Sequence, residues 1–310
     1  MNYAAKQYLV RAMCIIAVSL LLIPNPAVGQ KHSLGLSLGV SNFLGDLGGS
    51  NGIGTIFLKD LEGKAFRPSL SVDYRFTYNP HFNIRSSLTL TQVVGDDAWL
   101  NVTEPGNPAF ARRYRNLHFK SVILELSGQI EWNLLRYAPG DRDNWWTPYF
   151  AAGVGLFFFN PKAEFEGQWY KLQPLGTEGQ GLPGYGNRYI RVTPSFPVSF
   201  GIKFNLSRRF TLGFDITHRF TLTDYIDDVS GVYADPVDFY AVYEDQRAAL
   251  LTGLSRRSNE FDPDETYGYI TGPGQQRGDP KNKDQFFTSS IFVSYNFGKN
   301  TYSCPPKKQF

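Results

Sequence analysis

From Phe66 to Tyr78 the chain alternates without a break. Phe66, Pro68, Leu70, Val72, Tyr74, Phe76 and Tyr78 take one parity, and Arg67, Ser69, Ser71, Asp73, Arg75 and Thr77 take the other. Such a period of two describes a β-strand with one apolar and one polar face. After the turn Asn79-Pro80-His81 the pattern resumes, with Phe82, Ile84, Leu88 and Leu90 against Asn83, Arg85, Ser87, Thr89 and Thr91, which makes a tight hairpin.

Six further strands read the same way. Leu34 to Val40 is the first. Ser121 to Leu134 is the fourth, with Glu125 and Glu131 on its polar face. Phe150 to Phe158 is the fifth. Ile190 to Phe204 is the sixth, with Arg191 and Lys203 on its polar face, and Phe210 to Leu222 is the seventh, with Asp215 and Arg219. Phe287 to Phe297 closes the series. A soluble sandwich also alternates. These strands, however, are long, carry aromatics such as Tyr74, Tyr78, Trp132 and Tyr295 near their ends, and are joined by alternately short and very long connections. The expectation is therefore an all-β fold: an eight-stranded antiparallel transmembrane β-barrel of the outer-membrane type, placed in the cell outer membrane.

The N-terminus fits that destination. Lys6 and Arg11 precede an apolar run from Ala12 to Ile23, then Pro24-Asn25-Pro26 and the small residues Ala27-Val28-Gly29, so residues 1–29 read as a secretory signal peptide. The run is too short to span a bilayer as a helix. Cys14 opens it, whereas a lipidated cysteine would close it. The organisation expected is a signal peptide at 1–29, the barrel at 30–298 and a periplasmic tail at 299–310.

Even strand number puts both ends in the periplasm, with short turns at Asn79 to His81, Leu135 to Thr147 and Asn205 to Arg208. Ser41 to Lys64, Val94 to Asn116, Asn160 to Arg188 and Thr223 to Asp284 become the extracellular loops. Within the last, Asp235-Pro236 is expected to cap one helix carrying Leu250, Leu251 and Leu254.

The polar face points inward. Arg67, Asp73, Arg75, Arg85, Glu125, Glu131, Arg191, Lys203, Asp215 and Arg219 should fill a narrow lumen as a structural charge network rather than an ion path. This disfavours a porin. With 31 basic against 28 acidic residues there is no excess charge to attract nucleic acid.

Catalysis finds little support. His32, His81, His118 and His218 fall in separate places, and no serine, histidine and acid converge in the sequence pattern. Gly179 to Gly184 matches a dinucleotide fingerprint by letters only, since Pro183 interrupts it and no helix follows. Asp227-Asp228 and Asp262-Asp264-Glu265 are expected to be solvated loop carboxylates rather than a calcium site, because their spacing fits no known binding loop. No enzyme activity, metal or cofactor is expected.

Five loop segments carry a resemblance: Phe43 to Gly49, Arg115 to Lys120, Phe159 to Ala163, Leu172 to Gly181 and Thr223 to Ser230. On these the chain resembles the PorG-like family of small outer-membrane barrels in the type IX secretion and gliding machinery. The resemblance implies an anchor for a periplasmic ring made of a PorK-like lipoprotein and a PorN-like partner, set in outer-membrane lipid. A surface receptor or adhesin acting through the outer loops is the alternative.

The tail holds Cys304, the lone cysteine once the leader is removed, among Pro305, Pro306, Lys307 and Lys308. In an oxidising compartment it is the candidate partner-binding residue, through an intermolecular disulfide, against the plainer reading of an unpaired thiol.

Overall fold

In a computed structural model, residues 32–47, 63–107, 109–139, 141 and 143–297 are described. Residues 1–29, expected to be a signal peptide, and Cys304 with its tail lie outside them. Nine strands form: β1 (His32–Leu44), β2 (Arg67–Thr77), β3 (Phe82–Asp96), β4 (His118–Asn133), β5 (Trp146–Phe165), β6 (Gln168–Lys171), β7 (Val192–Asn205), β8 (Phe210–Thr221) and β9 (Gln285–Phe297). Every pairing is antiparallel, in the order β4-β3-β2-β1-β9-β8-β7-β5, and a β4–β5 pairing closes the ring. Eight strands make the barrel. The ninth, β6, only extends β5 as a hairpin above the wall.

Parity sorts the side chains as the alternation demands. Leu36, Leu38, Ile130, Val154 and Ile291 point outward and are all more than half exposed, while Asp73, Arg75, Glu125, Glu131 and Lys203 are buried inside. A greasy exterior around a charged interior is the reverse of a water-soluble core, and it suits a closed barrel bathed in hydrocarbon with no unpaired edge. Tyr78, Trp132, Tyr295 and Trp146 sit at the periplasmic end, where amphipathic rings suit the membrane interface.

The chain between β4 and β5 is more than a turn. Tyr137 and Ala138 are buried beneath the barrel. The Tyr137 hydroxyl lies 2.6 Å from Asn205 Oδ1 and 3.0 Å from Thr211 Oγ1, and its backbone N–H donates to the Pro80 carbonyl. This segment folds under the inner mouth.

Short helices appear in the outer loops: α1 (Phe110–Arg115), α2 (Leu172–Leu175), α3 (Pro236–Val242), α4 (Asp245–Ser255) and α5 (Ser258–Phe261). Asp235 does cap a helix, its carboxylate accepting from the Val237 N–H with Pro236 in the first turn, but that helix ends at Val242. Leu250, Leu251 and Leu254 ride on α4 instead. The break falls at Tyr243 and Glu244, whose extended backbone ends one helix and starts the next. The expected single helix is thus two.

The capped lumen as candidate functional site

The lumen charges meet in layers. Nearest the periplasm, Glu131 takes Lys203 Nζ at 2.5 Å on one oxygen and Arg75 Nε at 3.2 Å on the other, and Asn83 donates to it as well. In the middle, Arg85 Nη1 lies 2.9 Å from Asp215, which Thr217 and Tyr149 also support. Asp73 accepts from Ser37 and Ser87 at 2.5 and 2.6 Å. Towards the outside, Arg219 Nε lies 2.6 Å from Glu125, whose second oxygen accepts from Ser195. The cavity left between these groups is about 20 Å³, room for roughly one water.

Two of the expected lumen residues are not there. Arg67 opens β2 at the outer rim, half-exposed, and donates to the carbonyls of Lys64 and Phe66. Arg191 lies just before β7, bonded to Asn160 Oδ1 at 2.7 Å and 5.4 Å above the Phe158 ring. Both keep the inward parity in sequence but stand where the wall ends, so nothing compels them into the interior. Asp73, Glu125, Glu131 and Asp215 then face Arg75, Arg85, Lys203 and Arg219, so the enclosed set is electrically balanced. Balance is what a low-dielectric enclosure requires, since an unpaired buried charge costs several kcal/mol.

Above Glu125 the inward parity turns apolar. Phe43, Val93, Phe119, Ile123, Phe157, Phe159 and Phe286 pack with Leu47, Leu117, Ile226 and Val229 of the loops into one buried cluster. The sequence carries the signal, because Ile123, Phe157 and Phe286 hold the inward parity, but apolar residues on both parities erase the two-sided contrast that marks a wall strand. Gly213 leaves the space that the Phe292 ring occupies; a Cβ there would lie 2.2 Å from it.

A polar storey tops this plug. Arg115 grips Asp97 through two bonds of 2.8 and 3.0 Å and donates to the carbonyls of Asp46 and Arg277. Arg277 in turn contacts Glu178 at 3.0 Å and the Asp228 carbonyl at 2.6 Å. Glu178 accepts from the N–H groups of Ser230 and Gly231, and Asp228 accepts from the Tyr189 and Thr177 hydroxyls. Tyr189 stacks on Tyr225 with ring centres 4.4 Å apart.

Asp227 and Asp228 are therefore not solvated, contrary to expectation: both are buried. Asp227 accepts from the backbone N–H of Leu47 and of Val229. Burial, reinforced by the neighbouring Asp46 carboxylate, pushes the Asp227 carboxyl well up, and burial likewise lifts Asp284, Asp224 (to about 7) and Asp228 (to about 6), the last despite Arg277 beside it. Asp262 accepts from Tyr114 at 3.2 Å, and Glu265 pairs with Arg256. Among the described residues no group of three His, Cys, Asp or Glu is arranged to hold a metal ion.

The histidines stay apart. His32 bonds Tyr74 at the inner rim, His81 meets the Asn133 carbonyl, His118 accepts from the Glu164 N–H and His218 bonds Gln285. The Gly179 to Gly184 run is a folded turn of the cap in which Gly179, Gly181 and Gly184 all have positive φ, and no helix begins there.

Five loop segments singled out in the sequence all enter this one cap, through Phe43 and Asp46, Arg115 and Leu117, Phe159, Thr177 and Glu178, and Ile226 to Ser230. A family model described as "Domain of unknown function (DUF6089)" matches residues 11–174, more than half of the chain. The chain belongs to the DUF6089 family. No curated protein matches this DUF6089 barrel by sequence. Among solved structures it is similar to Ail, the attachment invasion locus protein of Yersinia pestis, at 10% identity over 86% of this chain and 98% of that one, with a TM-score of 0.37. It is similar to OprG of Pseudomonas aeruginosa at 9% identity over 87% and 99%, TM-score 0.36. It is also similar to the outer membrane enzyme PagL at 10% identity over 86% and 99%, TM-score 0.31.

Proposed function

We propose that this DUF6089 barrel is a sealed docking element of the type IX protein secretion system, holding a periplasmic ring of a PorK-like lipoprotein and a PorN-like partner to the outer membrane. The observation that carries the reading is closure at both ends. A balanced ion network fills the lumen, Tyr137 and its neighbours fold beneath it and the aromatic plug covers it. A barrel so filled offers a stiff anchor and no passage for a protein. The resemblance of the loops supplies the machinery, and the convergence of those segments in one cap supports it. On the periplasmic side Arg136, Trp145, Leu206, Arg208 and Arg209 are exposed and available to a partner. In this reading Cys304 adds a covalent link to the ring lipoprotein, which would appear on non-reducing gels as a higher-mass adduct lost in Cys304→Ser.

The test is mild detergent extraction and affinity capture through a tag in an outer loop. Recovery of a periplasmic lipoprotein ring, and retention of type IX substrates in the periplasm of a deletion strain, are expected. Normal secretion in that strain would refute the reading. A second reading, a surface receptor or adhesin, draws on Val237, Tyr240, Val242 and Tyr269, which stand exposed on the outer loops. It requires that trimming Thr223 to Asp284 abolish function while changes at the periplasmic turns do not.

A further inference from the structure

Three lysines stand in a line across the outer wall at its extracellular end. Lys120 of β4 is the register partner of Lys162 of β5, and Lys162 that of Lys171 of β6. Lys120 shares the outward parity of Val122 and Leu124, and Lys162 that of Leu156 and Phe158, all of which are exposed to the membrane side. Like charges placed directly opposite on neighbouring strands repel. Among the described residues none of the three takes part in an ion pair, and Glu164, two residues beyond Lys162 on the same face, makes none with them either. The Lys120 ammonium rests 3.1 Å from the centre of the half-exposed Trp169 ring. One step down the wall, Arg191 covers Phe158 and is anchored by Asn160. The protein thus gathers four cations immediately above an apolar surface, and among the described residues no carboxylate lies within ion-pair distance of the three lysines.

We propose that Lys120, Lys162, Lys171 and Arg191 bind the phosphate-bearing headgroup of an outer-leaflet lipid, whose acyl chains lie along Phe158, Leu156 and Leu124. A lipid meets both demands of the site at once. Its phosphate relieves the repulsion within the lysine row, and its chains cover the apolar wall beneath. A soluble anion would meet only the first. The aromatic rings beneath the cations add to their attraction for this level of the membrane. This site lies outside the barrel and is independent of the secretion reading.

The experiment uses the full-length barrel in phosphatidylcholine vesicles that contain a small fraction of brominated phosphatidylglycerol or, in parallel, brominated phosphatidylcholine. Tryptophan quenching is read, and Trp169→Phe identifies the part due to Trp169. The anionic brominated lipid is expected to quench Trp169 more strongly than the zwitterionic one. The combined variant Lys120→Gln, Lys162→Gln and Lys171→Gln should lose roughly fivefold or more of that enrichment, while its unheated gel migration shows that the barrel is intact. Equal quenching by the two lipids in the native protein overturns the proposal, and so does unchanged preference in a folded triple variant. Loss of the preference on adding inorganic phosphate at unchanged ionic strength would make the ligand a free phosphate, which also overturns it. Should the variant fail to fold, the native comparison between the two lipids decides alone.

Discussion

Arg219 on β8 and Glu125 on β4 meet across the width of the lumen, Nε to Oε2 at 2.6 Å, with Glu125 wholly buried. Neither strand neighbours the other, so the bond braces the barrel wall from inside. Glu125→Gln keeps the shape but leaves Arg219 charged without its partner, at an expected cost of about 3–5 kcal/mol. The temperature at which the fast-migrating folded band converts to the unfolded band should drop. Replacing both residues with apolar ones of similar volume should restore much of the loss, whereas a single variant as heat-resistant as the native protein would show that the network does not hold the barrel.

Arg115 is the matching brace of the cap. Arg115→Ala removes two bonds to the buried Asp97 and two to carbonyls of other loops. The loop from Thr223 to Asp284 should become open to added protease on whole cells, with gel heat-modifiability unchanged, because the bonds lost lie above the membrane wall. Protection equal to the native protein would contradict this account.

The cap should also loosen as pH rises. Its buried aspartates hold their protons more tightly than they would in an opened loop: Asp228 to about 6, Asp224 to about 7, and Asp227 and Asp284 well above the ordinary value of 3.8. Below about pH 4 both forms are protonated and nothing is at stake. Between there and the folded-state values the open form releases protons that the closed form keeps, so closure weakens, and the loss is complete above those values. Protease resistance of the last loop should be greatest near about pH 4 and fall towards about pH 8. Asp224→Asn and Asp227→Asn should flatten the profile; resistance that rises with pH would reverse the assignment.

Gly179 tests the turn beneath α3. Its φ is +81°, and a Cβ would come within 2.4 Å of the Tyr185 ring, whose hydroxyl donates to Asp238 and accepts from the Asp235 N–H. Gly179→Ala should cost on the order of 1–3 kcal/mol locally and speed hydrogen exchange along Pro236–Val242. Gly184→Ala, at φ +85° but with open space around it, should do less.

The loops and lumen differ in how much of them the sequence discloses. The alternation from Phe66 to Tyr78 places both faces of β2 correctly because a strand writes its sidedness residue by residue, and the same holds for the other seven wall strands. The four residues of β6, Gln168–Lys171, are too few to show a period, and Leu135 to Thr147 has the composition of a plain connection although Tyr137 closes the inner mouth.

What the sequence by itself determined is thus the local part: eight wall strands, their two faces, the short and long sides of the barrel, and which charged residues had inward parity. The tertiary structure alone decided the partners. Arg75 pairs with Glu131, Arg85 with Asp215 and Arg219 with Glu125 over separations of 56, 130 and 94 residues. Such pairings depend on where the closed ring brings distant strands. The ring also decided that Arg67 and Arg191 stay out, and that Asp227 and Asp228 go under cover, because burial belongs to the assembled loops and no stretch of chain carries it alone.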